Sequence, residues 1–140
     1  MNLLYLLLVY LVQPNHLEYA YTIISVDNLD MELGGNVKIQ VFDENTMASE
    51  IMEPIFEKTV AANENQLPIR LDALPEGNYM IAVLHDSNGN GKLDYSFFGV
   101  PKEGFAFSGQ FSCELKSAGP SLHIIHLSRG LQHVKLHLCY

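Results

Sequence analysis

The chain has 140 residues, 48% of them hydrophobic, with a formal net charge of −8. That is enough apolar side chain for one packed domain, which excludes an intrinsically disordered chain. Eight Lys and Arg against sixteen Asp and Glu exclude a nucleic-acid surface, which needs clustered cations, and leave no electrostatic pull toward anionic lipid.

The chain opens MNLLYLLLVYLVQPNHLEYA. Residues 3–12 form an unbroken apolar run. It is shorter than the roughly 20 residues of a spanning helix and has the length of a signal-peptide core. No Lys or Arg precedes it, and Glu18 stands where cleavage after Ala20 would want a small residue. A first β-strand is the competing reading. Export is preferred, with residues 1–20 as a signal peptide and residues 21–140 as one mature domain. The expected location is periplasmic or secreted, with no membrane span in the mature chain.

Residues 19–26 (YAYTIISV) are rich in β-formers. After the Gly34-Gly35 turn, residues 36–42 alternate, with Val37, Ile39 and Val41 on one face and Lys38 and Gln40 on the other. Residues 43–54 have room for one helical turn, stopped by Pro54. Residues 55–61 and 66–71 read as strands. Pro75-Glu76-Gly77-Asn78 reads as a β-turn, because Pro presets φ and Gly tolerates positive φ. Residues 79–85 (YMIAVLH) are apolar on both faces and predict a central strand covered on both sides. Two strands near 121–127 and 131–140 close the chain, with Ser128-Arg129-Gly130 as the hairpin turn between them. No βαβ rhythm and no long helical period occur. The expected fold is all-β: an antiparallel Greek-key sandwich of seven or eight strands.

The stretch after the central strand carries the chemistry. Residues 86–94 have the form D-x-N-x-N-G-x-x-D. Calcium takes six to eight oxygens, and alternate oxygen-bearing side chains converge if the backbone curls around one point. Asp86, Asn88 and Asn90 occupy the first, third and fifth positions, with Gly91 at the turn. Lys92 supplies a carbonyl and Asp94 the ninth-position ligand. The twelfth position, normally a bidentate Glu, is Phe97, so the expected affinity is weak, about 10⁻⁴–10⁻³ M. Glu103 is a further candidate carboxylate. A metal-free Asn-Gly turn accounts for the same residues.

Tyr95, Phe97, Phe98, Phe105, Phe107 and Phe111 crowd the segment that follows. Exposed, they form a ligand surface that stacks on sugars or packs on a partner. Buried, they close one end of the sandwich. The core reading is preferred, since dense aromatic clusters rarely stay exposed in a monomer. Cys113 and Cys139 form either a disulfide or two buried thiols. His85 orients Asp86 or faces solvent. His123 and His126 point to opposite faces of a strand. His133 and His137 lie about 13 Å apart along one, too far to share an ion. No nucleophile motif occurs, so no catalytic residue is assigned.

Residues 74–108 read LPEGNYMIAVLHDSNGNGKLDYSFFGVPKEGFAFS. This stretch resembles the bacterial domain-of-unknown-function family 2141, whose pattern has the form LPxGxYAVxxxHDxNxNGKLDxNxxGxPxEGxGFS. The match includes Leu74, Pro75, Gly77, Tyr79, His85, Asp86, Asn88, Asn90, Gly91, Lys92, Leu93, Asp94, Gly99, Pro101, Glu103, Gly104, Phe107 and Ser108. Ser96 and Ala106 depart from it, at positions where Asn and Gly are usual. The resemblance implies an exported, transthyretin-like β-sandwich and no known activity.

The function expected is that of an exported, non-catalytic accessory or interaction module with a weak calcium loop. Its partner would be an unidentified protein or glycan. The first alternative is a carbohydrate- or ligand-binding module that uses Tyr95, Phe97, Phe98, Phe105 and Phe107. The second is a transthyretin-like hydrolase, which needs a cleft lined by His85, His123, His126, Arg70 and Arg129.

Overall fold

The computed structural model describes residues 19–114 and 119–140. The apolar run at residues 3–12, and most of the export reading built on it, lie outside them. Two sheets face each other across one core. The first is built on β1 (Tyr19–Asp27), which pairs on one edge with β4 (Leu67–Arg70) and β5 (Leu74–Pro75). Its other edge takes β9 (Gly130–His137) in parallel. The second sheet runs β3 (Phe56–Ala61), β2 (Asn36–Asp43), β6 (Gly77–Asp86). The far edge of β6 is shared by β7 (Gly104–Phe107) and β8 (Ile124–Leu127).

The alternation seen in sequence sets the core face. Ala20, Ile24 and Val26 of β1 meet Val37, Ile39 and Val41 of β2 and Ile81 and Val83 of β6, all buried in one cluster. Each such side chain contributes about 1.5–3 kcal/mol of transfer free energy. The expected all-β sandwich is what forms. β6 is the central strand that its two apolar faces predicted, with Met80, Ala82 and Leu84 on the face turned from the core.

Three details differ from the sequence reading. Nine strands form among the described residues, the two beyond the segments read from sequence being β7 and the two-residue β5. The sheets are mainly antiparallel, but β1 and β9 run parallel over eight residue pairs from Ala20↔Gly130 to Asp27↔His137. Ser128-Arg129-Gly130 makes no hairpin, because β8 pairs with β6 and β9 with β1, so the chain crosses between sheets there. Leu127, Leu136 and Leu138 bury against the core from opposite layers, which a hairpin within one sheet could not do.

β1 begins at Tyr19, and Ala20 is already buried and paired with Leu74 and Gly130. The folded unit therefore starts before residue 21. The helical turn expected after β2 is α1 (Glu44–Ala48), capped by Asp43, whose side chain accepts from the Thr46 N–H at 2.8 Å. A short 3₁₀ helix (Pro120–His123) takes the place of the first half of the strand expected near residue 121.

Candidate functional site

The last residue of β6 starts the loop. Asp86 sits opposite Asn36 of β2, only 5% exposed. Gly35 permits this approach: its φ is +79°, and a Cβ there would fall 2.4 Å from the Asp86 carbonyl oxygen. The chain then coils through Gly89 and Gly91, at φ 75° and 76°, the left-handed values glycine adopts without strain.

This coil points the polar groups inward. The Asp86 carboxylate accepts from the backbone N–H groups of Asn90 at 3.1 Å and Gly91 at 2.8 Å. Asn88 Oδ1 accepts from the Asn90 N–H at 3.0 Å, and Asn90 Oδ1 from the Lys92 N–H at 2.8 Å. Asp94 Oδ2 accepts from the amides of both Asn88 and Asn90, the latter at 2.8 Å. The residues at loop positions one, three, five and nine are thus joined in one cluster. Lys38 reaches the Gly91 carbonyl at 3.4 Å and pairs with Glu57 at 3.1 Å.

Glu103 braces the coil from inside. It is 2% exposed. One carboxylate oxygen accepts from the Ser87 N–H at 2.9 Å and hydroxyl at 3.0 Å, and the other from the Asp94 N–H at 3.2 Å. These bonds tie the first and last thirds of the loop to the strand that follows it. A polar cleft of about 350 Å³ opens beside them, lined by Ser87, Asn88, Asp94, Tyr95, Lys102 and Glu103.

This donor set suits a hard cation in type: two carboxylates, two side-chain amides and backbone carbonyls. Among the described residues, no three His, Cys, Asp or Glu side chains stand close enough to hold a metal. An ion in the coil would therefore draw on Asn and carbonyl oxygens as well. The amide nitrogens of Asn88 and Asn90 face Asp94 in this geometry. A cation would require both amides to turn, giving up the bonds to the Asn90 and Lys92 N–H groups. The coil as it stands is internally hydrogen-bonded, so the metal-free turn and the cation loop share one scaffold.

The aromatic residues divide into two groups. Phe105 is buried and packs edge-on to Phe107 and, tilted, against Phe111, while Phe107 stacks on the buried His123 at 4.8 Å. Phe105 is buried and Phe107 and Phe111 are half-buried, but Phe105 and Phe107 lie opposite Leu84 and Ala82 on the outer face of the sheet and do not close an end of the sandwich, and the other three rings are exposed. Tyr95 is 57% exposed, Phe97 98% and Phe98 88%. The cause is local: Ser96 to Gly99 form a tight turn, with Gly99 N–H donating to the Ser96 carbonyl at 2.9 Å and Gly99 at positive φ. Its two middle residues point away from the sheet. An apolar groove of about 590 Å³ lies at the base of this turn, lined by residues that include Met80, Ala82, Tyr95, Phe105 and Phe107.

His85 neither orients Asp86 nor faces solvent. It is fully buried, with Nε2 2.6 Å from the Gly34 carbonyl and Nδ1 2.7 Å from the Tyr140 hydroxyl. A carbonyl only accepts, so Nε2 carries the proton and the tyrosine hydroxyl donates to Nδ1. That hydroxyl also accepts from the Asp30 N–H at 2.8 Å. Burial pushes the Tyr140 phenol above its ordinary 10.0, as does the nearby Asp30 charge, against a lowering by the Asp30 N–H. Cys113 and Cys139 form a disulfide with Cα atoms 5.3 Å apart, next to the backbone pair Phe105–Cys139.

The residues of the hydrolase reading are spread over the molecule. His85 and His123 are buried apart, and Arg70 is exposed on β4 of the opposite sheet. His126 and Arg129 meet at Glu76 on the surface, at 3.6 and 2.8 Å. His133 and His137 are exposed on β9. Sequence reasoning missed two structural residues of the region. Ser108, 1% exposed, accepts from the Ile81 N–H and donates to the His123 carbonyl at 2.6 Å. Tyr140 anchors His85. The match to the family pattern signalled Ser108.

Among the described residues, no helix is long and apolar enough to cross a membrane. The model of a family described as an uncharacterized protein conserved in bacteria, domain of unknown function 2141, matches residues 24–128. No curated protein and no solved structure matches the chain.

Proposed function

The chain belongs to this uncharacterized bacterial family, and we propose that it is an exported, non-catalytic interaction module whose residues 86–94 bind calcium weakly. Asp86, Asn88, Asn90 and Asp94 would hold the ion through side chains and Lys92 through its carbonyl. The observation that carries the reading is the meeting of Asn88 and Asn90 at one oxygen of Asp94, while Asp86 holds the Asn90 and Gly91 backbone. Four side chains that carry calcium-type donors are thereby brought together on a coil braced by Glu103, where the Asn88 and Asn90 amides would turn to present their oxygens. Glu103 would position the coil, since both of its oxygens are engaged with Ser87 and Asp94.

Export to the periplasm or medium is supported by the Cys113–Cys139 disulfide, because such bonds persist in oxidising compartments. Millimolar calcium is also compatible with extracellular sites. When bound, the ion would supply positive charge at the centre of the coil and fix the segment leading to Tyr95. The partner, protein or glycan, would meet the loop end of the sandwich.

The test is the unfolding temperature with calcium, with chelator and with magnesium. At about 10 mM calcium, a site of about 10⁻⁴–10⁻³ M stabilises the native state by about 1.4–2.7 kcal/mol. A rise with calcium that magnesium does not reproduce is expected. Identical curves in calcium and chelator would overturn the assignment and leave a metal-free turn.

A further inference from the structure

We propose that the chain forms a two-fold homodimer in which the Phe97–Phe98 tip of each protomer enters the apolar groove of the other. The proposal goes beyond calcium binding and does not depend on it.

The tip is a knob. Phe97 and Phe98 are 98% and 88% exposed and stand edge to face, with ring centroids 5.5 Å apart. Its conformation is held by a hydrogen bond from the Ser96 N–H to the Val100 carbonyl at 2.7 Å, by one from the Val100 N–H to the Ser96 hydroxyl at 3.1 Å, and by the Tyr95–Pro101 bridge. Two adjacent rings fixed in water are an unusual expenditure of apolar surface in a soluble domain.

The groove is a matching hole. It measures about 590 Å³, and its floor is the outer face of β2, β6 and β7: Phe42, Met80, Ala82, Leu84, Phe105 and Phe107. Neither its lining nor the tip contains a charged residue. The tip cannot fill its own groove. Tyr95, Gly99 and Pro101 line the groove while the turn they root carries the two rings outward.

A second copy satisfies both features at once. Because knob and hole are on the same chain and adjacent, a two-fold axis beside the loop pairs each with its counterpart and closes the assembly. Each phenylalanine buries about 150–250 Å². Four rings, and a similar area lost from the groove walls, reach about 1,200–2,000 Å², the size of a stable interface. Since each chain carries a net charge of −8, mutual repulsion opposes the contact, and salt that screens it tightens the dimer.

The experiment is sedimentation equilibrium of the full chain across protein concentration, at low and high salt. The expected result is a monomer–dimer equilibrium that shifts toward dimer in high salt. The double variant Phe97→Ser, Phe98→Ser should weaken it about a hundredfold or more. Met52→Glu, which places a charge on the exposed groove wall, should weaken it at least about tenfold. These positions are exposed, so the variants fold, as circular dichroism would verify. A wild-type chain that stays monomeric, or a dimer that survives the double variant, overturns the proposal. So does a monomer that floats with neutral phosphatidylcholine vesicles and stops floating in the double variant, which would make the tip a membrane contact.

Discussion

Glu103 and Ser87 are joined twice: one carboxylate oxygen accepts from the Ser87 backbone N–H at 2.9 Å and from its hydroxyl at 3.0 Å. They are sixteen positions apart in sequence, and the candidate loop from Asn88 to Asp94 lies between. The other oxygen holds the Asp94 N–H, so one buried side chain fixes both ends of the coil.

Glu103→Ala is therefore expected to destabilise the fold by about 1–3 kcal/mol, since it leaves part-buried N–H donors without their charged acceptor. Glu103→Gln retains an acceptor and should lose less. Chemical denaturation of the two variants measures the difference, and equal losses would mean that a neutral amide acceptor replaces none of the carboxylate's contribution.

Calcium affinity should separate Asp94 from Glu103. Asp94→Ala removes a proposed ligand and should abolish the calcium-dependent rise in unfolding temperature. Glu103→Gln leaves the donor set intact and should retain a reduced rise. Isothermal titration of both variants reads this directly, and full affinity in Asp94→Ala would remove Asp94 from the site.

Reduction of the Cys113–Cys139 bond should lower stability. Its sequence separation of 26 corresponds to a loop-closure contribution of about 3.5 kcal/mol in the chain-entropy model. The expected fall in unfolding temperature is about 10 °C, seen by calorimetry with and without reductant. Labelling that finds free thiols in the unreduced protein would remove its basis.

The His85–Tyr140 contact should be sensitive to one atom. Tyr140→Phe removes the hydroxyl that serves His85 and the Asp30 N–H, at a cost of about 1–3 kcal/mol. Gly104→Ala should do similar damage, because its Cβ would fall 2.6 Å from the Tyr140 ring. The phenol is raised above 10.0 in the folded state by burial first. Its contribution is complete below pH 10 and is lost as pH rises through the folded value. Tyr140→Phe should flatten that alkaline limb of the stability profile, and an unchanged limb would assign it to other groups.

Asp27 controls the acid side of β9. Burial alone would raise its carboxyl, but Lys135 at 3.1 Å and His137 at 2.7 Å outweigh burial and hold it below 3.8. A lowered carboxyl stabilises above its unfolded value and loses that effect as pH falls through the folded one. Asp27→Asn should cost at most about 1 kcal/mol at neutral pH, since Lys135 and His137 are solvated. The difference from wild type should fade as pH falls below 3.8 and vanish below the lower folded value, which acid titration of unfolding would check.

Much of this molecule was legible in the chain itself. The alternation of Val37, Ile39 and Val41 determined the buried face of β2, because the side-chain period of a strand is two whatever its partners. The two-sided apolar run of β6 announced its central place. The spacing of Asp86, Asn88, Asn90 and Asp94, with Gly89 and Gly91 between, determined a coil that turns its polar groups inward, because only local backbone freedom is needed for it.

Other features depend on contacts between distant residues, which no local pattern encodes. The chain leaves one sheet at Leu127 and enters the other at Gly130 because Leu127 and Leu136 belong to opposite layers, and the parallel β1–β9 pair follows from that crossing. The phenylalanines of residues 97–111 look alike in sequence; a four-residue turn sends two into water, while Phe105, Phe107 and Phe111 pack on one another and the last two on His123. Glu103 reads as one more loop carboxylate until the fold returns it beneath Ser87 and Asp94. Local periodicity is a property of the backbone, whereas partner choice is settled by the packing of the whole core.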